Sequence, residues 1–373
     1  MNGAGIVSRT ISKWPCRPAG VLRVGYVIGE GIGGEVIPVA LDILRAVCDR
    51  FGLRLELRQG GLIGTPALKA SGSALPREMV DFCKSIFAED GAVLCGPGGS
   101  RFVYELRTEL DLYCKFTPLI PLAALRDAAL LKPERLDGVD ILAVRENSGG
   151  LYFGESTLCS EPNGDRQVTH RFGYSVFQVR RILASAFAAA RCRRGKLCVT
   201  TKPGGIPAIS DLWHEQAELL VEEGGVELSF LEIDNAVYQL IANPGAFDVV
   251  VSPNMFGDVL ADSGSLLLGS RGLSYSGNFG AGGNAVYQTG HGAAHDIAGQ
   301  DIANPIGQAF SVAMMLRESF GLQEAAETLE LAIREVTASG IRTADIASAG
   351  SIVVGTKEMG RRIAEAVASV GSS

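Results

Sequence analysis

Three segments of the 373-residue chain combine residue types that can do chemistry on a small acid. The first, VRENSGGLYFG at residues 144–154, places Arg145 at the end of a predicted buried strand and Tyr152 in the loop beyond it. An arginine in that position can bind a carboxylate through two parallel hydrogen bonds, and a tyrosine can donate a proton. Taken alone, each also fits an ordinary structural role, as a surface arginine and a half-buried tyrosine.

The second segment, NMFGDVLAD at residues 254–262, sets Asp258 and Asp262 four positions apart on one face of a predicted helix start. Two carboxylates placed in this way repel each other unless a cation or an arginine joins them. Two interpretations stay open from the spacing alone, a solvated helix N-terminus and a site for a divalent metal ion.

The third segment, HGAAHDIAGQDIANP at residues 291–305, contains small residues around Asp296. Small side chains let a nucleotide approach the backbone, and a carboxylate can accept hydrogen bonds from both ribose hydroxyls. As a single loop, this segment has weak specificity.

A fourth segment, GEGIGG at residues 29–34, satisfies the spacing G-x-G-x-x-G between a predicted strand and a predicted helix. The spacing is typical of a dinucleotide-binding turn in a Rossmann fold, and equally of a tight strand-to-helix turn. The structural turn is favoured, because another segment of the chain, residues 291–305, is the better candidate for binding a nucleotide.

The elements that must position these residues alternate along the chain. Buried-strand patterns occupy residues 21–28, 91–95, 139–144, 196–200 and 247–251, and helical patterns occupy residues 33–48, 211–223, 322–339 and 357–370. This alternation predicts an α/β protein with a largely parallel sheet. The basic residues Arg191, Arg193, Arg194 and Lys196 follow an apolar helical stretch, and we expect them at a helix C-terminus, where cations complement the helix dipole.

Composition excludes several classes of protein. A formal net charge of −7 argues against a nucleic-acid surface and an anionic-membrane binder, and no apolar run is long enough to span a bilayer. The 47 glycines show no collagen-like period. Eight cysteines without a C-x-x-C pair predict reduced thiols, a cytoplasmic location and no structural zinc. Residues 1–20 lack an apolar targeting core; an unstructured leader is favoured over an organellar transit peptide.

Together, the segments resemble the β-decarboxylating dehydrogenase family, the isocitrate and 3-isopropylmalate dehydrogenases, over almost the whole chain. GEGIGGEV at Gly29, LRTELDLY at Leu106, FDVVVSPNMFGDVLAD at Phe247 and the loop at His291 are similar to the family's motifs in the same order. The resemblance implies two α/β domains that share a mixed sheet, not a Rossmann fold. Residues 1–112 plus 269–373 would form the large domain and residues 113–268 the small, dimerisation domain of a homodimer.

The resemblance also assigns roles residue by residue. It implies NAD and Mg²⁺ or Mn²⁺ as cofactors, with Asp258, Asp262 and the partner subunit's Asp234 as metal ligands. Lys202, with Asp234, would deprotonate the substrate hydroxyl, Tyr152 would protonate the enolate, and Arg107 and Arg145 would bind carboxylates. The expected cofactor contacts are His291, Gly292, Asp296, Ile297 and Asn304, and a carboxylate at Asp296 favours NAD over NADP.

The chain departs from the family around the substrate. Thr117 stands where the family usually has another substrate arginine, and Lys115 is a candidate replacement as a point charge. Ser100 and Arg101 occupy the loop that selects the malate substituent. We therefore expect oxidative decarboxylation of a 3-substituted malate with a polar or anionic substituent, such as isocitrate, homoisocitrate or phosphonomethylmalate. The alternatives are 3-isopropylmalate and a non-catalytic regulatory subunit.

Overall fold

The computed structural model describes residues 5–11, 14, 20–160, 162–222 and 224–371. The strands are β1 (Val21–Val27), β2 (Arg54–Gln59), β3 (Ala92–Cys95), β4 (Cys114–Leu119), β5 (Ile141–Glu146), β6 (Glu155–Ser160), β7 (Arg166–Arg171), β8 (Lys196–Thr201), β9 (Glu227–Glu232), β10 (Val249–Ser252), β11 (Tyr275–Phe279), β12 (Ala285–Thr289), β13 (Ile341–Arg342) and β14 (Ile352–Val353). The helices are α1 (Ile6–Thr10), α2 (Gly33–Phe51), α3 (Gly64–Ser71), α4 (Arg77–Ala88), α5 (Phe102–Glu109), α6 (Val176–Arg191), α7 (Pro207–Val221), α8 (Ile233–Ala242), α9 (Asn254–Leu268), α10 (Ile306–Glu318), α11 (Gln323–Ala338) and α12 (Thr356–Ser369).

Ten strands form one mixed sheet in the order β2-β1-β3-β12-β11-β4-β5-β10-β8-β9. Its two ends are parallel, and the centre is antiparallel, because β11 pairs in that sense with β12 and β4, and β4 with β5. The predicted α/β class with a shared mixed sheet is confirmed. The five strands of one end, β4, β5, β10, β8 and β9, all come from residues 113–268, and the proposed domain boundaries stay a prediction.

Both faces of the sheet are covered, which is why inner strands such as β3 and β10 are nearly continuous apolar runs. One core joins α2, α10, α11 and α12 to one half of the sheet and α6 and α7 to the other, with Ile43, Ile333, Ile363 and Trp213 fully buried in it. On the opposite face, α4 and α5 cover the first half, and α8 and α9 cover the second. This packing fixes the carboxyl ends of β5 and β8 and the start of α9.

The glycine turn at residues 29–34 packs closely against the backbone of two other loops. Gly29 and Gly31 have positive φ angles of 80° and 53°, and a side chain at either would collide with the carbonyl oxygens of Pro97 and Ala293, respectively. Gly34, the third glycine of the motif, faces open space. The turn is therefore a structural junction with the loop that contains Ala293, in agreement with the non-Rossmann prediction.

The predicted helices correspond to α2, α7, α11 and α12, with ends that shift by a few residues. The largest shift is at α7, which begins at Pro207, four residues earlier than predicted. Proline suits the first turn of a helix because the N–H that it lacks has no partner there. The predicted end of this helix, Glu223, lies outside the described residues.

The prediction of an unstructured leader is wrong for residues 6–10, which form α1. The Val7 N–H donates to the Glu318 carboxylate at 2.8 Å, and Val7 and Ile11 are buried against the main core. Trp14 donates its indole N–H to the carbonyl of Glu318. Contacts with a residue three hundred positions away hold the segment. Arg9 lies in α1, whereas Lys13 and Arg17 lie outside the described residues.

The interpretation of the basic cluster as dipole-compensating cations needs correction. Arg191 does end α6, but Arg193 and Arg194 both form ion pairs with Asp248, which is buried just before β10. Arg193 Nε donates to Asp248 Oδ1 at 2.8 Å. The cluster therefore anchors the connection between α6 and β8 to β10.

The cysteine prediction concerns reduced and mostly buried thiols. The seven cysteines among the described residues are all free; Cys48, Cys83, Cys95, Cys114 and Cys198 are buried, and Cys159 is exposed. Cys16 lies outside the described residues. In the described part of the chain, no helix is long and apolar enough to cross a membrane.

Candidate active site

Arg145 and the first turn of α9 meet at the carboxyl end of the sheet. Strands β5 and β10 are parallel neighbours with Arg145 opposite Ser252, two residues before α9 begins. Arg145 is buried, and its Nε and Nη2 donate to Asn254 Oδ1 at 3.0 and 2.8 Å. Its Nη1 donates to Asp258 Oδ1. A Cβ atom at Gly257 would lie 2.8 Å from Arg145 Cγ, so the absence of a side chain at this position allows Arg145 to pack against α9.

Tyr152 closes the same cluster from the other side. It lies in a single 3-10 turn, Leu151–Phe153, and its hydroxyl donates to Asp258 Oδ2 at 2.9 Å. Burial and the negative charge of Asp258 raise the pKa of Tyr152 to about 12. Burial alone raises the pKa of Asp258, but Arg145, Lys115 and the Tyr152 hydroxyl outweigh it and leave that pKa lowered. Tyr152 therefore retains its proton beside an ionised carboxylate.

Asp262 lies one helical turn further along α9 and has a different partner. Its Oδ2 accepts a hydrogen bond from Arg271 Nη2 at 2.6 Å. The repulsion expected between Asp258 and Asp262 is thus relieved by one arginine for each carboxylate. No group of three histidine, cysteine or acidic side chains that could hold a metal occurs within the described part of one chain.

Two further cations border the cluster, and neither forms an ion pair with an acidic side chain among the described residues. Arg107 on α5 is 6% exposed, and its Nε and Nη1 atoms are buried with no hydrogen bond. Lys115 on β4 pairs in register with Arg145 on β5, and its ammonium makes no hydrogen bond to a described residue. Burial and the neighbouring charges of Arg145 and Arg107 lower the pKa of Lys115 to about 7. Burial and Arg145 likewise lower the pKa of Arg107, to about 9.

The loop that is predicted to select the malate substituent contacts Tyr152. Ser100 is exposed with φ 57°, and Arg101 Nη2 donates to the Tyr152 carbonyl at 3.3 Å. The Arg101 guanidinium also lies 5.4 Å from the ring centroid of Tyr104. Thr117, which replaces the expected arginine, is buried on β4 two residues from Lys115. Arg101 thus joins the cluster through the backbone of Tyr152, and Lys115 joins it through its register with Arg145.

Lys202 and Asp234 form a second group. Lys202 Nζ, just beyond β8, donates to Asp234 Oδ2 at 2.9 Å and to Glu232 Oε2 at 2.6 Å. The hydrogen bonds to Glu232 and Asp234 raise the pKa of Lys202, and the bond from Lys202 lowers the pKa of Asp234. Within the described residues, no hydrogen bond or ion pair joins this group to Asp258.

The predicted cofactor residues surround a separate cavity of about 400 Å³, which His291, Gly292, Ile297 and Asn304 help to line. His291 Nδ1 donates to the Gly292 carbonyl at 3.0 Å, and its Nε2 is buried without a partner. Asn304 already uses its side chain, since Nδ2 donates to Asp345 and Oδ1 accepts from the Ile306 N–H. Asp296 is exposed and is not part of the lining.

Sequence reasoning assigned no role to three residues that the structure brings to these sites. Asn254 belongs to the same helical face as Asp258 and Asp262, and its spacing of four residues could have identified it. Tyr104 lies 5.2 Å from Tyr152 between ring centroids, and its position three residues before Arg107 was the available signal. No sequence pattern indicated Arg271, because its contact with Asp262 depends on the conformation of the turn that follows α9.

Comparison with known proteins agrees with the geometry. Residues 23–363 match the family described as isocitrate/isopropylmalate dehydrogenase. The 3-isopropylmalate dehydrogenase of Gloeobacter violaceus is 39% identical over 92% of this chain and 98% of its own length. That of Pseudomonas fluorescens is 40% identical over 91% and 97%, respectively.

Solved structures agree on the fold. The isocitrate dehydrogenase from Methylococcus capsulatus aligns with a TM-score of 0.82 and 28% identity, covering 93% of this chain and 99% of its own. The TT0538 protein from Thermus thermophilus aligns with a TM-score of 0.80 and 26% identity over 94% and 68%. The sequence motifs, the mixed sheet and these matches agree, and the chain belongs to the isocitrate/isopropylmalate dehydrogenase family.

Proposed function

We propose that the protein catalyses the NAD-dependent, divalent-metal-dependent oxidative decarboxylation of a 3-substituted malate to a 2-oxo acid. The observation that carries this proposal is the buried guanidinium of Arg107, whose Nε and Nη1 have no hydrogen bond among the described residues, beside the cluster of Arg145, Asp258 and Tyr152. A buried cation without a partner is costly, and a carboxylate of the substrate would supply that partner. Tyr152 offers a proton on the same side.

The side chains of α9 fit a hard divalent cation. Asp258 and Asp262 offer carboxylate oxygens, the ligand type that Mg²⁺ and Mn²⁺ prefer, and Asp234 of a second copy would be the third. Such a cation, when bound, lowers the pKa of the substrate hydroxyl and stabilises the charge that develops on its oxygen. For this, Asp258 must exchange its contacts with Arg145 and Tyr152.

The chain's own groups handle the protons. We assign the hydroxyl proton to Lys202, paired with Asp234. Its hydrogen bonds to Glu232 and Asp234 raise its pKa, so the ammonium must lose these contacts and a proton before it can act as a base. NAD, when bound, accepts the hydride, and loss of CO₂ then leaves a carbanion equivalent that needs a proton. Tyr152, which keeps its proton because burial raises its pKa to about 12, would donate it from the phenol oxygen.

A homodimer is part of the proposal. Among the described strands, β6 and β7 pair with each other and with no third strand, and their residues are exposed, including Leu158 and Val168. A two-stranded hairpin alone in water has marginal stability.

A second exposed apolar surface lies on α8 and α9, where Tyr238, Val259 and Leu266 are exposed. A second copy would cover both surfaces and bring its Lys202 and Asp234 to the site.

For the dinucleotide we propose NAD rather than NADP. The exposed carboxylate of Asp296 lies in the cofactor loop and would repel a 2′-phosphate while it accepts hydrogen bonds from ribose hydroxyls. His291, Gly292, Ile297 and Asn304 would contact the adenosine side of the cofactor. A cytoplasmic location stays a prediction from the pattern of free thiols.

The substituent on malate is the open choice. The named relatives are 3-isopropylmalate dehydrogenases at 38–40% identity, which favours 3-isopropylmalate over the polar substrate expected from the sequence. Lys115 and Arg101 favour a polar or anionic substituent, as in isocitrate, homoisocitrate or phosphonomethylmalate. We take 3-isopropylmalate as the first substrate to test and the polar group as the second.

The test is a panel of these malates with NAD⁺ and Mn²⁺, followed by NADH absorbance. Turnover with any member supports the proposed reaction, and the ranking of kcat/KM identifies the substituent. If no member yields NADH with a folded dimer, the protein is a non-catalytic regulatory subunit and the proposed reaction is wrong. NADP⁺ in place of NAD⁺ tests the role of Asp296, with much slower reduction expected.

A further inference from the structure

Arg271 lies between the two sites described above. It begins a 3-10 turn, Arg271–Leu273, directly after α9, and its Nη2 donates to Asp262 at 2.6 Å. The same arginine lines the cavity of about 400 Å³ that contains His291, Gly292 and Asn304. One side chain thus contacts a proposed metal ligand and borders the proposed dinucleotide site.

The cavity needs a cation if it is to hold a dinucleotide, because the diphosphate carries two negative charges. Its lining contains one acid, Asp345, which accepts hydrogen bonds from Ser270 and Asn304. Burial lowers the pKa of His291, so this ring is neutral in the resting protein. Arg271 is therefore the permanent positive charge of the lining, and its planar donors match phosphate geometry.

The contact with Asp262 is of a kind that can be exchanged. The side chains of Arg271 and Asp262 are 60% and 52% exposed, and exposed ion pairs contribute little to stability. A divalent cation on Asp262 would compete with the guanidinium, since both bind the same carboxylate. Once released from Asp262, the Arg271 guanidinium could turn into the cavity that it already lines.

We propose that Arg271 is a phosphate-binding residue of the dinucleotide site, which Asp262 holds until a divalent cation takes that carboxylate. This inference rests on the proposed function, since it needs both a metal at Asp262 and a dinucleotide in the cavity. It makes the two binding events cooperative: metal binding frees the arginine for the cofactor, and the cofactor, by drawing the arginine away, favours the metal. Such coupling is reciprocal by thermodynamic necessity.

The experiment measures binding of NADH by its fluorescence, with and without Mn²⁺ and with no substrate present. The unchanged protein is compared with Arg271→Leu and with the control Arg77→Leu, which removes a similarly exposed arginine paired with Asp81 on α4. We expect Mn²⁺ to tighten NADH binding in the unchanged protein and the control. In Arg271→Leu with Mn²⁺, binding should weaken about tenfold, the scale of one charge-assisted hydrogen bond, and the effect of Mn²⁺ should vanish.

The outcomes separate this inference from the proposed function. If the unchanged protein does not bind NADH, the proposed function fails. If it binds NADH, but Arg271→Leu with Mn²⁺ binds equally well, the role of Arg271 is wrong. A tenfold loss with no dependence on Mn²⁺ in the unchanged protein overturns the coupling to Asp262. Adenosine, which lacks the phosphates, should compete equally against both forms; a matching loss of adenosine affinity would place the arginine on the base instead.

Discussion

The two halves of the candidate active site balance their charges in opposite ways. Around α9, Arg145, Asp258 and Tyr152 satisfy one another through hydrogen bonds. Around α5 and β4, Arg107 and Lys115 form no ion pair with any described residue, and burial lowers both pKa values. The first half is prepared before any ligand arrives, whereas the second depends on a ligand to relieve its charge.

This difference separates reaction from specificity. The α9 half carries residues that match the family, whereas the other half combines one matching residue, Arg107, with the departures at Thr117 and Lys115. Arg101, the third departure, contacts the backbone of Tyr152. Interactions that act on developing charge must be fixed in advance. Interactions with a substituent need only complement the molecule that is bound. The comparison predicts large effects on kcat in the first half and smaller effects on KM and stability in the second.

The largest effect is expected for Asp258→Asn. It removes the carboxylate that Arg145 and Tyr152 share, so turnover should fall by about 10³-fold, the scale of losing a preorganised electrostatic contact. Mn²⁺ binding by calorimetry should weaken in parallel. Asp81→Asn, an exposed acid on α4, is the control. Unchanged turnover in a folded Asp258→Asn protein would contradict the comparison.

Tyr152→Phe should lower kcat by about 10²-fold, because it removes a positioned proton donor and leaves the ring in place. KM should hardly change, since the phenol hydroxyl donates to Asp258 and not to a substrate carboxylate. Tyr26→Phe removes a hydroxyl bonded to Gln59 on the far end of the sheet and serves as the control. A higher KM with normal kcat would show that Tyr152 acts in substrate binding, like the half around α5 and β4, and not in proton transfer.

Lys115→Met should reduce kcat/KM for a malate with an anionic substituent by about tenfold on the acid side of neutrality. In the unchanged protein this parameter should fall as pH rises through about 7, where the free Lys115 loses its charge. The variant should lack that limb of the profile, and Lys84→Met, an exposed lysine on α4, should retain it. Equal effects on 3-isopropylmalate would show that Lys115 does not read the substituent.

The smallest effect concerns stability. The pKa of Lys115 is lower in the folded protein than in the unfolded chain, so the unfolded chain binds more protons between about pH 7 and its ordinary pKa of 10.5. Stability should therefore rise with pH across that window, and the charged lysine is most unfavourable at or below its lower end. Lys115→Met should raise Tm by about 1–3 °C near neutrality, and the gain should shrink towards alkaline pH. A lower Tm would mean that Lys115 has a partner.

Much of the fold could be predicted, because its elements have strong local patterns. The strand at 21–28 and the helix at 33–48 correspond to β1 and α2, since apolar spacing reports which face is buried. Motif residues at strand ends were also predictable, because parallel strands bring their carboxyl ends to one edge. That is how Arg145 and Asp258 come together.

What could not be predicted depends on pairs that are distant in sequence. The packing of α1 requires Glu318, and the ion pair of Arg193 requires Asp248. The pairing of Asp262 with Arg271 depends on the geometry of one turn. Local propensity carries no information about such partners. Sequence alone therefore predicts an unstructured leader and a dipole-compensating basic cluster, where the structure has a packed helix and ion pairs with Asp248.

The junction at Gly31 has a consequence for how the protein is made. The carbonyl of Ala293 accepts the N–H of Ile32, so the cofactor loop is seated on a turn from the other end of the chain. More than two thirds of the sequence separates these residues, so the entropy of closing a long loop must be overcome before this contact can stabilise the chain. During synthesis, the turn at Gly31 gains this support only after residues beyond 293 have left the ribosome. In a chain that ends before Ala293, the N–H of Ile32 would have lost this acceptor, however well β1 had formed.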